Sequence, residues 1–120
     1  MSEYFVKADQ SVEFWTDERC FISELCNTEL APDSSLAIAR VEPGVTTQLH
    51  ALAGINETYI VIEGEGEMEV DGEQFQIANG DQVVIPPGVS QRVTSTSDID
   101  LRFYCLCTPR FTPNSYKNLE

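Results

Sequence analysis

Histidine is almost missing from this chain: His50 is the only one among 120 residues. Any site that needs two imidazoles from one chain is therefore excluded. Basic residues are also scarce, with seven Lys and Arg against twenty Asp and Glu and a formal net charge of −13. That balance argues against nucleic acid and against anionic membrane surfaces, and it favours solubility. The chain lacks any apolar run of about eighteen residues, so no transmembrane helix is expected. The first ten residues carry Glu3, Lys7 and Asp9 and no apolar core, so no secretory signal is read there. The expected location is the cytoplasm.

Four cysteines are present, Cys20, Cys26, Cys105 and Cys107. Neither spacing is a zinc-finger pattern, and disulfides belong to secreted chains. Free thiols, mostly buried, are expected. A length of 120 residues suits one domain able to bury its own core.

What is present is strand periodicity. Leu36 to Glu42 alternates and ends at Pro43-Gly44. The apolar run Thr58 to Ile62 is broken by Gly64 and Gly66. Glu67 to Val70 alternates into Asp71-Gly72, a strong hairpin signal. Phe75 and Ile77 continue the return, Asn79-Gly80-Asp81 turns again, and the next strand stops at Pro86-Pro87-Gly88. Gln91 to Thr94 and Leu101 to Cys107 complete the set. Short strands with turns at these intervals predict an all-β sandwich or barrel. Ser11 to Cys26 is read as one or two further strands, or a helical turn near Asp17-Glu18. The tail after Pro109 is expected to wrap the outside.

Two segments carry a resemblance. The first runs from Gly44 through His50, Leu52 and Glu57 to Gly64; the second runs from Gly80 through Pro86, Gly88 and Gln91 to Ser95. Their spacing resembles the paired signatures of the cupin superfamily, with Leu52 and Gln91 standing where histidines are usual and Ser95 in place of asparagine. Cys107-Thr108-Pro109-Arg110-Phe111 is similar to the ending of small single-domain cupins. The resemblance implies a double-stranded β-helix, the cupin jelly-roll barrel, with residues 36–108 as its core. Residues 1–35 would be an N-terminal extension packing on the barrel or on a dimer partner, and residues 109–120 a tail. It also implies a homodimer, with Phe5, Val12, Phe14 and Trp15 as contact candidates.

Strand alternation selects the residues that can share an interior. With His50 inward, Gln48 and Leu52 face the same way. Glu57, Tyr59 and Val61 share one face, and so do Gln91 and Val93, with Arg92 pointing out. The resemblance places Phe103, Cys105 and Cys107 on the pocket wall. His50 and Glu57 are the candidate catalytic pair, and Gln48, Tyr59, Gln91, Phe103 and Cys105 are candidate ligand contacts. The family's metal site would map onto His50, Glu57 and Gln91, with Cys105 as a further ligand, for a divalent Fe, Mn, Ni, Cu or Zn. Three functions follow as alternatives. One is a small-molecule-binding cupin, or acid–base enzyme, using His50 and Glu57. Another is a metal-dependent dioxygenase, lyase or isomerase. The last is a structural dimer with a vestigial pocket.

Overall fold

A computed structural model describes residues 2–8 and 12–120. Eleven strands are described: β1 (Phe14–Trp15), β2 (Phe21–Cys26), β3 (Ser35–Val41), β4 (His50–Leu52), β5 (Asn56–Glu63), β6 (Glu65–Val70), β7 (Glu73–Ala78), β8 (Gln82–Ile85), β9 (Gln91–Ser95), β10 (Leu101–Thr108) and β11 (Tyr116–Asn118). They form two antiparallel sheets, ordered β1-β2-β3-β10-β5-β8 and β11-β4-β9-β6-β7. This is the all-β barrel expected from the turn spacing, with the jelly-roll form that the family resemblance implies. No helix among the described residues is long and apolar enough to cross a membrane.

Alternation decides what fills the barrel. Along β10, Leu101, Phe103, Cys105 and Cys107 are buried while their neighbours are half-exposed. Glu57, Tyr59 and Val61 do the same on β5. The core joins Val41, Val61, Met68, Ile85, Val93, Leu101 and Phe103 across both sheets, each removed from water by the opposite face. The predicted Asp71-Gly72 hairpin joins β6 to β7, with both residues at positive φ (52° and 78°), the pattern of a type I′ turn. Gly64 closes the first motif for a different reason. Its φ is +80°, and a Cβ there would stand 2.5 Å from the Asp100 carbonyl oxygen. Backbone approaches backbone at this point, and only glycine leaves room.

At the N-terminal end the strand reading holds: β1 and β2 lie there, with Asp17 and Glu18 in the turn between them; Ser11 lies outside the described residues. One expectation changes at the other end, because the tail after Pro109 does not simply wrap the outside. Its β11 hydrogen-bonds to β4 in antiparallel register, Tyr116 opposite Leu52 and Asn118 opposite His50. The unpaired edge of β4 supplied the donors and acceptors that draw it in.

Candidate functional site

A cavity of about 230 Å³ lies between the two sheets. The six-stranded sheet supplies Glu57, Tyr59, Phe103, Cys105 and Cys107 as one wall. These come from neighbouring strands in register: Cys107 is opposite Glu57 and Cys105 opposite Tyr59. Tyr59 stacks on the diagonal neighbour Phe103, with centroids 4.3 Å apart. His50 and Leu52 face this wall from β4. The remaining wall comes from segments outside the motifs, among them Thr16, Glu18 and Cys20 before β2, and Phe111 and Tyr116 after β10.

His50 is held in one tautomer. Its Nδ1 lies 2.7 Å from the Gln48 carbonyl oxygen, which only accepts, so Nδ1 carries the proton and donates. Burial holds the imidazole below its usual pKa, against the pull of that backbone bond. The neutral ring therefore presents a lone pair at Nε2, 3.7 Å from Glu18 Oε1. Tyr116 stacks over the ring at a centroid distance of 4.8 Å, and its hydroxyl donates to Gln48 Oε1 at 2.5 Å. Strand β11 thus fixes the histidine from its open side.

The two carboxyls are both unusually basic. Burial raises Glu57 to about 7, against the lowering influence of Gln91, Cys107 and Cys105. Its side chain is 7% exposed, and Oε1 has no hydrogen-bond partner. The Cys107 thiol points to Oε2 at 3.8 Å. Burial also raises Glu18 to about 7, and the charge of Glu57 adds to the shift. The thiols respond in the same direction. Burial pushes Cys107 and Cys20 up to about 12 and Cys105 well above its usual value, so all three are neutral. All four cysteines are free.

Of the residues singled out by pattern, His50, Glu57, Tyr59, Phe103 and Cys105 meet in the cavity. Gln48 is not a wall residue; it acts behind the wall, holding His50 through its carbonyl and Tyr116 through its side chain. Gln91 is fully buried opposite His50 on β9, with its amide oxygen accepting from the Tyr59 hydroxyl. Glu18 and Tyr116 were not anticipated. A β-turn and an irregular tail carry no periodicity, so only tertiary pairing brings them in: the Gln48 amide donates to the Glu18 carbonyl at 2.9 Å.

This donor set does not fit a resident divalent ion. Leu52 offers no ligand atom, and the Gln91 oxygen is engaged by Tyr59. Among the described residues, no three His, Cys, Asp or Glu side chains gather as a metal site.

Comparison with known proteins agrees with this architecture. Residues 37–107, more than half of the chain, match the Cupin domain family. An uncharacterized protein of Methanocaldococcus jannaschii is 29% identical over 114 residues, covering 93% of this chain and 91% of the relative. An uncharacterized conserved protein from Klebsiella pneumoniae with a double-stranded β-helix domain superposes with a TM-score of 0.78 at 19% identity, covering 100% of this chain and 99% of that one. Streptomyces Pac13, solved with uridine, gives 0.82 at 16% identity, covering 99% and 92%. The chain belongs to the cupin family.

Proposed function

We propose that this cupin binds a small organic molecule inside its barrel and acts on it by proton transfer, with His50 as base and Glu57 or Glu18 as acid. The observation that carries this reading is the convergence of three proton-exchanging groups on one apolar cavity. Carboxyls with pKa near 7 are partly protonated at neutral pH and can give or take a proton. His50 offers an oriented lone pair at Nε2. Such a set serves isomerisation or elimination beside a carbonyl, where a proton leaves one atom and another is delivered nearby. Pac13, a barrel of the same fold, is a nucleoside dehydratase, which supports a small organic ligand in such a cavity.

The test is a thermal-shift screen with sugars, nucleosides, amines, keto acids and aromatic acids. At least one class is expected to raise the Tm of the protein, and His50→Ala is expected to abolish that rise. No stabilisation by any class, or an equal rise in the variant, overturns the reading.

The protein is also inferred to pair with a second copy. Tyr4, Phe5, Val12, Phe14 and Trp15 are all exposed, and β1 is a two-residue edge strand. Exposed aromatics beside a sheet edge favour association. A monomer in sedimentation at micromolar concentration overturns this.

A further inference from the structure

We propose that the cavity selects an organic cation, its ammonium group seated between Glu18 and Glu57 and its aliphatic or aromatic body lying against Tyr59, Phe103 and Tyr116. This rests on the reading of the cavity as a small-molecule site and gives that molecule a chemical class.

The wall has charge of one sign only. Glu18, Glu24 and Glu57 line it, and among the described residues no Lys or Arg does. Arg19 is next to Glu18 in sequence, but its side chain is directed elsewhere. Its Nε donates to the Thr46 carbonyl at 2.9 Å, and its two terminal nitrogens donate to Glu120 at 3.1 and 2.7 Å. A carboxylate or phosphate entering the cavity would meet carboxyls that are in part ionised, without a counter-cation, in surroundings where water screens poorly.

Glu57 lines the cavity, and its buried Oε1 has no hydrogen-bond partner; Gln91 Nε2, also buried, is likewise without one. An unpaired buried carboxyl oxygen is costly, and a donor satisfies it. An ammonium brings several N–H donors and a positive charge together. A hydroxyl brings one donor and no charge. The aromatic rings on the same wall add attraction of their own, because their faces carry negative potential. The remaining wall is mostly apolar, which suits an organic body better than a hydrated metal ion. The absence of three gathered metal-ligating side chains among the described residues points the same way.

The decisive comparison uses three probes of one shape, benzylamine, benzyl alcohol and benzoate, titrated into the full chain in neutral buffer and followed by protein NMR. Benzylamine is expected to bind about tenfold or more tightly than benzyl alcohol, a difference of about 1.4 kcal/mol, and benzoate is expected not to bind. Glu18→Gln should weaken benzylamine binding while leaving benzyl alcohol unchanged, and Glu57→Gln should do the same more strongly. Glu18 is partly exposed, so its variant keeps the test intact if Glu57→Gln fails to fold. Benzoate or benzyl alcohol binding as tightly as benzylamine overturns the charge selection but leaves the cavity a small-molecule site. Binding of none of the three overturns both. Zinc chloride displacing benzylamine, with zinc bound at the same residues, gives the site to a metal and overturns the proposal.

Discussion

The barrel strands and the two terminal segments packed on them build opposite walls of one cavity by different means. On β5 and β10, Glu57, Tyr59, Phe103, Cys105 and Cys107 are placed by two-residue alternation inside long, fully paired strands. Glu18 and Tyr116 are placed by a few bonds at the margins: a Gln48-to-Glu18 backbone bond, three residue pairs between β11 and β4, and the contact of Arg19 with Glu120. The barrel therefore supplies rigidity, and the terminal segments supply part of the chemistry. Local stability should differ accordingly, because segments with few buried contacts open at lower cost.

The sharpest way to break the barrel side is at Gly64. Gly64→Ala forces a Cβ to within 2.5 Å of the Asp100 carbonyl at a φ of +80°, and a loss of about 4 kcal/mol is expected in urea unfolding. Gly72 has a similar φ but open surroundings, so Gly72→Ala should cost only about 1 kcal/mol. Equal costs at the two sites would show that backbone conformation, not close approach, sets the requirement.

The next largest effect is tied to pH. Glu57 and Glu18 have folded pKa values near 7, raised from 4.5. The folded state thus binds protons more tightly than the unfolded state, and this stabilisation, full below 4.5, is lost as pH rises through about 7. Each carboxyl is expected to contribute a change of about 3 kcal/mol across that window. Glu57→Gln should match the parent near about pH 5 and exceed its stability near about pH 8. Parallel Tm curves for parent and variant would remove Glu57 as a buried titrating group.

On the terminal side, Tyr116→Ala removes the stack on His50 and the bond to Gln48. A loss of about 2 kcal/mol is expected, with about half of it retained in Tyr116→Phe. The imidazole resonances should shift in both variants, since the ring loses a neighbour in one and a restraint on that neighbour in the other. Unchanged His50 signals in Tyr116→Ala would separate β11 from the site.

The same division explains what sequence could reveal. Gly44, Gly64, Gly80, Pro86 and Gly88 stand at turns, where backbone geometry restricts residue type, so their spacing carries the fold. His50, Glu57 and Tyr59 were legible because alternation fixes the inward face of a strand, and Phe103 and Cys105 because the family resemblance puts the last strand on the pocket wall. Gln48 obeyed no such rule: it precedes β4, outside regular pairing, and its side chain turns to Tyr116. Gln91 obeyed alternation, yet Tyr59 takes its oxygen and keeps it behind the wall. Glu18 and Tyr116 were hidden because long-range pairing, absent from any local pattern, delivers them.

The smallest expected effect tests whether the terminal segments act as one unit. Glu120 receives both terminal nitrogens of Arg19 and, through Oε2, the Leu49 amide at 2.8 Å. These bonds hold the carboxyl down to about 2. The group is on the surface, where solvent and salt weaken ion pairs, so Glu120→Gln should leave the global Tm almost unchanged. Its effect should be local. Arg19 follows Glu18, and Leu49 precedes His50, so the pair ties the turn before β2 to the entry of β4. Faster hydrogen exchange at the Leu49 amide in Glu120→Gln, with barrel amides such as that of Val61 unaffected, is the expected result. Unchanged exchange at Leu49 would mean that β11 pairing alone holds this edge, and that the ion pair contributes nothing to the placement of Glu18.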